Sequence, residues 1–374
     1  MNKKIVITEY ENKIIIVFIS DDCAIKIVAL NSISDMTNTI YLGRVQKVKE
    51  NINSCFVKYN NSVGFLKSKN IKPESVLPIM LKKETAKGKE DEVTDKIAIS
   101  GLYSVVSDDF KGINYSSRLS SENIQKLSCA ELKNVIIRNN AKNVDPESVL
   151  NEYLFLNDIL ININNIKDKR TDNSILYAGI PKIIDIIVSE DLLEYSNIIT
   201  DLKDVYNLID SFINKYKEKS IDIPINVELY NDNLVPIAAV YSLSSKIDKA
   251  INRKVYLKSD AFITFDYTEA MNVIDVNSGT TVHKGDKAEV IHKINVEAAH
   301  EIVTQLKLRN LSGIIIVDFI NEYKKEYNNE LIDILKRLLK EDDCHAICHG
   351  MTKLGLVEIT RNRKYKPLKE QLWK

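Results

Sequence analysis

Short apolar runs rich in β-branched residues alternate with polar turns over the first third of the chain. The first three runs predict a meander of strands, and the next three, separated by Asn-rich turns, predict a small barrel. In chain order the six runs are Lys4–Thr8, Lys13–Ile19, Cys23–Leu30, Tyr41–Val48, Ser54–Tyr59 and Ser62–Leu66. The stretch from 82 to 96 is dominated by charge and predicts a loop, after which 101–106 predicts another strand.

Helical periodicity marks the middle of the chain, where apolar residues recur every three or four positions. The segments that show it are 121–132, 145–162 and 197–216. The last third alternates strand and helix patterns, which is typical of a three-layer α/β unit. Its predicted strands are Ala261–Phe265, Asn272–Asp275, Gly313–Phe319, Cys344–His349 and Leu356–Thr360, and its predicted helices are Ala288–Leu308 and Asn328–Lys340.

Composition narrows the class of protein. The 374 residues suffice for about two to four domains, and a content of 44% hydrophobic and 28% charged residues is that of a folded globular protein. The apolar runs are too short to cross a bilayer and the N-terminus has no signal-peptide core, so we expect a cytoplasmic protein. Lys plus Arg and Asp plus Glu both total 52, so a polyanion must bind at a local patch. The five cysteines include no CxxC pair, which favours reduced thiols.

Two aspartates hold positions where chemistry is expected. Asp275 and Asp318 each stand near the C-terminal end of an apolar strand. Asn277 points to the same side as Asp275, because side chains alternate along a strand. Two carboxylates are a suitable partial shell for Mg²⁺, which also takes waters and substrate phosphate. The alternative, that the aspartates only terminate their strands, stays open on spacing alone.

Four strings in the last third come in an order and spacing typical of one family. They are Ile274-Asp-Val-Asn-Ser-Gly279, Asn295-Val-Glu-Ala-Ala299 with its continuation Gln305-Leu-Lys-Leu-Arg-Asn-Leu311, Gly313-Ile-Ile-Ile-Val-Asp-Phe-Ile320 and Leu354-Gly-Leu-Val-Glu-Ile-Thr-Arg361. In these strings the chain resembles the ribonuclease E/G family of bacterial endoribonucleases. The resemblance is dense from about Phe262 to Arg363 and weaker toward the N-terminus.

The resemblance implies a multidomain fold of the α+β and α/β classes. Its implied parts are an RNase H-like base in two pieces, 1–34 and 188–260, an inserted S1 RNA-binding barrel of the OB type, 35–109, a 5′-sensor region, 110–187, and a DNase I-like catalytic subdomain, 261–374. In the S1 part, Phe56 and Phe65 fall where the family stacks RNA bases, and Lys87 matches a lysine that approaches the RNA backbone. From the pattern alone, the alternative is that one or both rings fill the barrel core.

The family recognises an RNA 5′-monophosphate through a sensor that the resemblance carries over to five positions. These are Gly101, Val105, Arg138, Asn139 and His345. Asn139 stands where the family usually has threonine, and His345 where it usually has arginine. Ser117 replaces one member of an arginine pair, leaving Arg118. The sensor positions therefore depart from the family pattern more than the catalytic positions do.

The resemblance implies that Asp275 and Asp318 bind one Mg²⁺ with Asn277 in support, although Asn321 stands where the family commonly has aspartate. Water would then attack the scissile phosphate and leave a 5′-phosphate and a 3′-hydroxyl. Single-stranded RNA is the implied substrate, in mRNA decay or in the processing of rRNA or other RNA. The rival interpretation is an S1-domain RNA-binding protein that has lost turnover. Intact Asp275, Asn277 and Asp318 argue against that rival, whereas the departures keep it open.

The positions of the cysteines bear on zinc binding and on subunit assembly. The family shares zinc between subunits through a Cys-Pro-x-Cys pair, and this chain has no cysteine beyond Cys348. We therefore expect no zinc, and a monomer or weak homodimer. The string Cys344-His-Ala-Ile-Cys-His349 contains zinc-type ligands, but on a strand its cysteines and histidines face opposite sides. His283, His292 and His300 have no partner in the pattern and are interpreted as surface or supporting residues.

Overall fold

A computed structural model of the chain describes residues 2–69, 71–83, 90–128, 131–279 and 286–373. Among these residues the strands, labelled β1 to β23 in chain order, are Lys3–Tyr10, Lys13–Ser20, Cys23–Leu30, Met36–Thr37, Ile40–Lys49, Ser54–Tyr59, Ser62–Lys67, Val76–Lys83, Asp91–Thr94, Ile99–Ser100, Ser104–Val106, Ile113–Tyr115, Val135–Ile137, Ile175–Tyr177, Ile180–Pro181, Asn197–Thr200, Asn226–Leu229, Lys254–Tyr256, Phe262–Tyr267, Met271–Asn277, Gly313–Asp318, Ile347–Met351 and Leu356–Arg361. The helices α1 to α9 are Ser121–Leu127, Pro146–Ile166, Lys182–Val188, Lys203–Lys217, Ile237–Val240, Leu243–Ile251, Lys287–Leu308, Lys325–Leu339 and Leu368–Trp373.

The chain forms two compact units. The first unit gathers residues 1–31, 197–202 and 228–374, and the second gathers 32–196 and 203–227. A five-stranded N-terminal sheet has the strand order β17-β16-β1-β2-β3. Its β1, β2 and β3 are antiparallel, whereas β16 lies parallel to β1. The predicted opening meander is therefore confirmed.

A six-stranded sheet in the first unit carries the last third of the chain, in the order β18-β19-β20-β21-β23-β22. Strands β20 and β21 are parallel, and the other pairs are antiparallel. Alternate residues of each strand point into an apolar core that also contains Leu306 of α7 and Leu335 of α8. That core occupies one face of the sheet, so the residues between the core positions point to the opposite face, which we call the outer face.

The second unit contains a closed five-stranded barrel. Strands β5, β6, β7, β9 and β8 pair in succession, and β8 pairs back to β5. The interior is filled by alternate side chains, among them Val57, Leu66 and Val93. A Cβ on Gly43 would lie 2.5 Å from a Val57 methyl carbon, so the strands approach too closely there for a larger residue. The predicted small barrel is confirmed.

The charged stretch from 82 to 96 was predicted as a loop, and that prediction is wrong at both ends, since strand β8 continues to Lys83 and a further strand begins at Asp91. Asp91–Thr94 is a strand of the barrel, and Val93 is buried in its interior. A short strand with one buried apolar residue can form here because the strands on both sides offer backbone groups that hydrogen-bond to it. Residues 84–89, including Lys87, lie outside the described residues.

The remainder of the second unit combines a small sheet, in the order β10-β11-β13-β12, with the long helix α2. Helix α2 begins as its sequence predicts, with Asp145 capping the backbone N–H of Glu147 and Pro146 in the first turn. It presents Val149, Tyr153 and other apolar residues to the interior. The chain therefore forms a mixed α/β protein with a closed barrel, as expected in outline.

Some element boundaries differ from the prediction. The segment 197–216 holds a strand at Asn197–Thr200 before helix α4, because Ile198 and Ile199 are drawn into the N-terminal sheet. The first predicted helix ends at Leu127, and the strand predicted at 101–106 covers only Ser104–Val106. The strand predicted from Cys344 begins at Ile347, because His345 has a positive φ of 50°.

In the part of the chain that the structure describes, no helix combines the length and the apolar character needed to cross a bilayer. Cys23, Cys55, Cys344 and Cys348 are free thiols. Cys129 lies outside the described residues.

Candidate active site

Asp275 and Asp318 lie side by side on the outer face of the six-stranded sheet. They are register partners on the parallel strands β20 and β21. Partners on adjacent strands share a face, and such strands lie about 4.8 Å apart, so the two carboxylates project together. Their neighbours Ile274 and Val317 point the opposite way and are fully buried. The alternation of each strand thus brings together two acids that are distant in the sequence.

Asn277 acts directly on the first of these acids. Its Nδ2 donates to Oδ2 of Asp275 over 2.6 Å, which orients the carboxylate. Two residues later, Gly279 turns the chain with a φ of 68°. A Cβ at that position would lie 2.5 Å from the carbonyl oxygen of Asp260, so the end of the Asp-Val-Asn-Ser-Gly string requires glycine.

The two carboxylates form an anionic pair that is accessible. Asp275 is half-buried and Asp318 is exposed. Among the described residues, neither forms an ion pair with Lys, Arg or His. Two hard oxygen donors on one face, with like charges and no basic partner, match what Mg²⁺ takes from a protein when its other ligands are water and phosphate. The donor set fits a divalent ion.

The loop after Asp318 is held by a buried asparagine of helix α7. Oδ1 of Asn295 accepts from the backbone N–H of Ile320 over 3.1 Å, and its Nδ2 donates to the carbonyl oxygen of Ile320 over 2.7 Å. The same Nδ2 donates to Oε1 of Glu322 over 2.8 Å. Asn295 is fully buried, so this clamp fixes the backbone two residues beyond Asp318. By contrast, the intervening Asn321 is exposed.

His292 has partners that its sequence context did not indicate. Its Nδ1 lies 3.2 Å from Oε1 of Glu322, and its Nε2 lies 3.3 Å from Oε2 of Glu330. The ring stacks on Tyr327 with centroids 4.1 Å apart. His292 therefore has partners that the sequence pattern did not show, because they lie in the segment after the next strand, and its side chain is buried rather than on the surface. His300 is exposed, and His283 lies outside the described residues.

Phe56 and Phe65 lie on the outside of the barrel. They are register partners on β6 and β7, and their ring centroids are 5.8 Å apart at an interplanar angle of 61°. Both are half-buried, while the alternating positions Val57 and Leu66 fill the interior. The Nζ of Lys49 lies 4.8 Å from the Phe56 centroid. The alternative that these rings fill the barrel core is excluded by this alternation.

Four of the expected sensor residues lie together in the second unit. Nη1 of Arg138 donates to the carbonyl oxygen of Gly101 over 2.7 Å, and Val105 lies on the strand that pairs with the one preceding Arg138. Asn139 follows Arg138 and donates through Nδ2 to Oδ1 of Asp191 over 2.7 Å. The Oδ1 of Asn139 is buried without a hydrogen-bond partner.

Glu152 of helix α2 holds the loop that contains Gly101. Its fully buried carboxylate accepts from the backbone N–H groups of Leu102 and Tyr103, over 2.6 and 2.9 Å, and from the hydroxyl of Ser104 over 2.8 Å. Burial raises the pKa of Glu152, and the three hydrogen bonds oppose that rise. A Cβ on Gly101 would lie 2.6 Å from the carboxyl carbon. The sequence signal for this contact is an acid on the apolar face of a predicted helix.

Two sensor departures have structural consequences. Arg118 donates to Oδ2 of Asp191 over 2.8 Å, so Asp191 binds both Arg118 and Asn139. The charge left after the Ser117 replacement is thus paired with a carboxylate. His345 belongs to the first unit, where it is exposed in the turn before β22. Its role in the sensor stays a prediction.

One further group has metal-type ligands, namely Asp342, Asp343 and Cys344, whose ligand atoms lie within 4.8 Å of one another. Asp342 is already bound to the buried Arg361 guanidinium at 3.0 Å. Burial alone would raise the pKa of Asp343, but Lys26 and its other cationic neighbours outweigh it and hold that pKa well below its usual range. Burial raises the pKa of the Cys344 thiol to about 11. The group is an internal ion network.

Sequence comparison relates the chain to known ribonucleases. A sequence model described as the Ribonuclease E/G family matches residues 98–364. Ribonuclease G of Haemophilus influenzae is 27% identical over 370 residues, which cover 90% of this chain and 74% of that protein. Ribonuclease G of Escherichia coli K12 is 26% identical over 360 residues, or 88% and 73% of the two chains. Ribonuclease E of Synechocystis is 25% identical over 395 residues, or 99% and 58%.

Proposed function

The chain belongs to the Ribonuclease E/G family, and from this premise we propose that it is a Mg²⁺-dependent endoribonuclease that cuts single-stranded RNA. The observation that carries the proposal is the pair of register partners Asp275 and Asp318 on one accessible face, with Asn277 bonded to the first. The family membership expected from the four sequence strings is confirmed by the family model that matches residues 98–364. Its members named above are ribonucleases G and E.

Asp275 and Asp318 hold the ion, and Asn277 keeps the Asp275 carboxylate in one orientation. Bound there, Mg²⁺ supplies Lewis-acid chemistry that polarises the scissile phosphate and makes water more acidic. The reaction is an in-line hydrolysis: the water oxygen bonds to phosphorus, the bond from phosphorus to the 3′-oxygen breaks, and a proton passes to that oxygen. The products are a 5′-phosphate and a 3′-hydroxyl. Asn295 fixes the loop behind Asp318, so the second carboxylate keeps its position through the reaction.

RNA binding falls to the barrel, the S1 part of the molecule. Phe56 and Phe65 present neighbouring rings on its outside, where successive bases can stack irrespective of sequence. Lys49 lies over one ring, and Lys87, which is outside the described residues, is the proposed contact to the RNA backbone. The segment 261–374 is the proposed DNase I-like catalytic part, and 1–34 with 188–260 is the proposed RNase H-like base. The RNA substrates are mRNA in decay or precursors in processing.

The 5′ end of the substrate binds at Gly101, Val105, Arg138 and Asn139, and the part of His345 stays a prediction of the family resemblance. Arg138 is the central cation of this set, and a guanidinium is suited to a terminal phosphate because it donates two parallel hydrogen bonds. The proposed assembly is a monomer or weak homodimer without zinc. The rival function, RNA binding without turnover, is not favoured, since the aspartate pair and its supporting asparagine are both in place.

A cleavage assay tests the proposal. Fluorescently labelled single-stranded RNA is incubated with the protein in Mg²⁺ and in EDTA, and a fully paired duplex of the same sequence serves as the control substrate. We expect internal cuts in the single strand in Mg²⁺ only, with 5′-phosphate and 3′-hydroxyl ends by mass spectrometry. Equal cutting in EDTA, or ends carrying a 2′,3′-cyclic phosphate, would overturn it.

A further inference from the structure

The outer face of the six-stranded sheet continues past the aspartate pair onto β19 and the edge strand β18. Phe262 on β19 is the register partner of Asn277. Tyr256 on β18 is in turn the register partner of Phe262. Lys254 stands two residues before Tyr256 and so points to the same face. We call Lys254, Tyr256 and Phe262 the edge platform.

The edge platform is an accessible arrangement of two rings and a cation. The ring centroids of Tyr256 and Phe262 are 6.2 Å apart at an interplanar angle of 56°. The Nζ of Lys254 lies 3.5 Å from the Phe262 centroid and 4.6 Å from the Tyr256 centroid. Within the described ranges, Lys254 forms no ion pair. The ammonium group is therefore held over the rings while its charge is available to an anion.

The fold does not require these side chains for its core. The residue between Lys254 and Tyr256 is Val255, which is buried in the apolar core, as is Ile263 on the neighbouring strand. Tyr256 is 68% exposed, so its ring contributes little buried area to the unit. An exposed aromatic ring beside a lysine on the open face of a sheet is the arrangement by which single-stranded nucleic acid is bound through base stacking and phosphate neutralisation.

We propose that the edge platform binds a nucleotide of single-stranded RNA on one side of the scissile phosphate, an inference that rests on the proposed function. Tyr256 stacks on the base, Phe262 forms the wall of the subsite, and Lys254 neutralises the adjacent phosphate. The site accepts any base, because every base offers a face for stacking.

The position of the edge platform explains what it does for cleavage. Neighbouring strands lie about 4.8 Å apart, so β18 is roughly 10 Å across the sheet from β20, which carries Asp275. The first nucleotides beyond the scissile phosphate span that gap along the outer face. Anchoring one of them fixes which phosphate reaches Asp275 and Asp318.

The test uses RNA oligonucleotides that each carry one 2-aminopurine at a position near the cut, because stacking on an aromatic ring quenches its fluorescence. Binding is measured in EDTA, and cleavage is measured separately in Mg²⁺. We expect wild-type protein to quench the probe at the position beside the cut. Tyr256→Ala should abolish that quenching, raise KM on the order of tenfold and leave kcat nearly unchanged, because the stacking is present in bound substrate and transition state alike.

Two further variants make the assignment specific. Tyr256→Trp keeps an aromatic face and should retain both the quenching and the wild-type KM. Lys254→Ala removes one phosphate contact and should reduce the slope of log affinity against log salt by about 0.7. Lys258→Ala changes a lysine of the same hairpin that is exposed and outside the edge platform, so it should leave the slope unaltered.

The outcomes separate this inference from the proposed function. Absence of cleavage by wild-type protein overturns the proposed function, whereas the quenching in EDTA still tests the subsite. Equal quenching and equal KM in wild type and Tyr256→Ala would overturn the edge platform as an RNA site. A Tyr256→Ala variant with unchanged RNA binding but altered self-association in light scattering would assign the face to protein contact and would also overturn it.

Discussion

Asp275 and Asp318 are two carboxylates on one face that form no ion pair with a basic side chain among the described residues, and we propose that a divalent cation binds there. Asp266 offers a useful contrast on the neighbouring strand β19. It is paired with Arg253 through two short hydrogen bonds of 2.6 and 2.8 Å, and that pairing lowers the pKa of Asp266. Asp266 has a basic partner, whereas Asp275 and Asp318 have none among the described residues, so substitutions at the three positions should affect cleavage differently.

Asp275→Asn or Asp318→Asn should lower kcat about a thousandfold. Lewis-acid stabilisation is worth several kcal/mol, and each 1.4 kcal/mol, approximately, is a factor of ten. RNA affinity in EDTA should stay within about twofold, since the proposed stacking residues lie elsewhere. The matched control Asp266→Asn removes a carboxylate from the same sheet and should leave kcat unaltered. Wild-type rates in either of the first two variants would refute the assignment of the pair.

Asn295→Ala removes the clamp on Ile320 and should raise the Mg²⁺ concentration needed for half-maximal cleavage. It should also lower the free energy of unfolding by about 1–3 kcal/mol, because buried partners lose their hydrogen bonds. Asn140→Ala is the matched control, since buried Asn140 likewise accepts one backbone N–H and donates to two acceptors, in the second unit. The control should lose similar stability in urea unfolding without a shift in Mg²⁺ dependence. If both variants raised the Mg²⁺ concentration for half-maximal cleavage equally, Asn295 would contribute to stability only and not to the catalytic site.

At the scale of elements, a buried carboxylate on helix α2 fixes the backbone of a neighbouring loop. Glu152 of α2 bonds two backbone N–H groups and one hydroxyl of the loop 101–104. Burial raises the pKa of this carboxyl above its usual value of about 4.3. The folded state therefore binds more protons than the unfolded state at a pH between the two pKa values. The contribution of Glu152 to the free energy of unfolding is fully present below about pH 4.3 and declines as the pH rises toward the raised pKa.

Glu152→Gln removes this titration. The difference in free energy of unfolding, wild type minus Glu152→Gln, should fall as the pH is raised from 4 to 8, with a slope no steeper than about 1.4 kcal/mol per pH unit for one proton. Urea unfolding at several pH values measures it. Glu147→Gln, an exposed position of the same helix, should show no such fall. A difference that grows with pH would mean that the loop lowers the carboxyl pKa.

Elements with strong local patterns were predictable, and those formed by distant partners were not. The parallel strands with Asp275 and Asp318 follow from apolar runs, and helix α7 from its periodicity. The strand Asp91–Thr94 was not predicted, because its charged residues are typical of a loop. It forms because it pairs with a barrel strand on each side. Asn295 lay inside a recognised string, yet its role depends on a contact with a loop 25 residues away.

At the scale of the whole molecule, the chain crosses between its two units several times. The first unit takes three separate stretches, 1–31, 197–202 and 228–374, so no single boundary in the sequence separates the units. A strand as short as Asn197–Thr200 joins a sheet whose strands β1, β2 and β3 lie near the N-terminus. Composition carries no trace of such a return, so the expectation of a base in two pieces, 1–34 and 188–260, came from the family resemblance alone, whereas the barrel and the six-stranded sheet could be outlined from the residue pattern.

At the catalytic site, we propose that Asp275 and Asp318 hold a divalent ion that contacts the scissile phosphate. The most direct measurement uses RNA with one non-bridging oxygen of that phosphate replaced by sulfur. Sulfur binds Mg²⁺ poorly, whereas a softer ion such as Mn²⁺ accepts it better. We predict that one phosphorothioate isomer is cut slowly in Mg²⁺ and regains its rate in Mn²⁺, while unmodified RNA is cut in both. An equal loss of rate in the two metals would contradict the account.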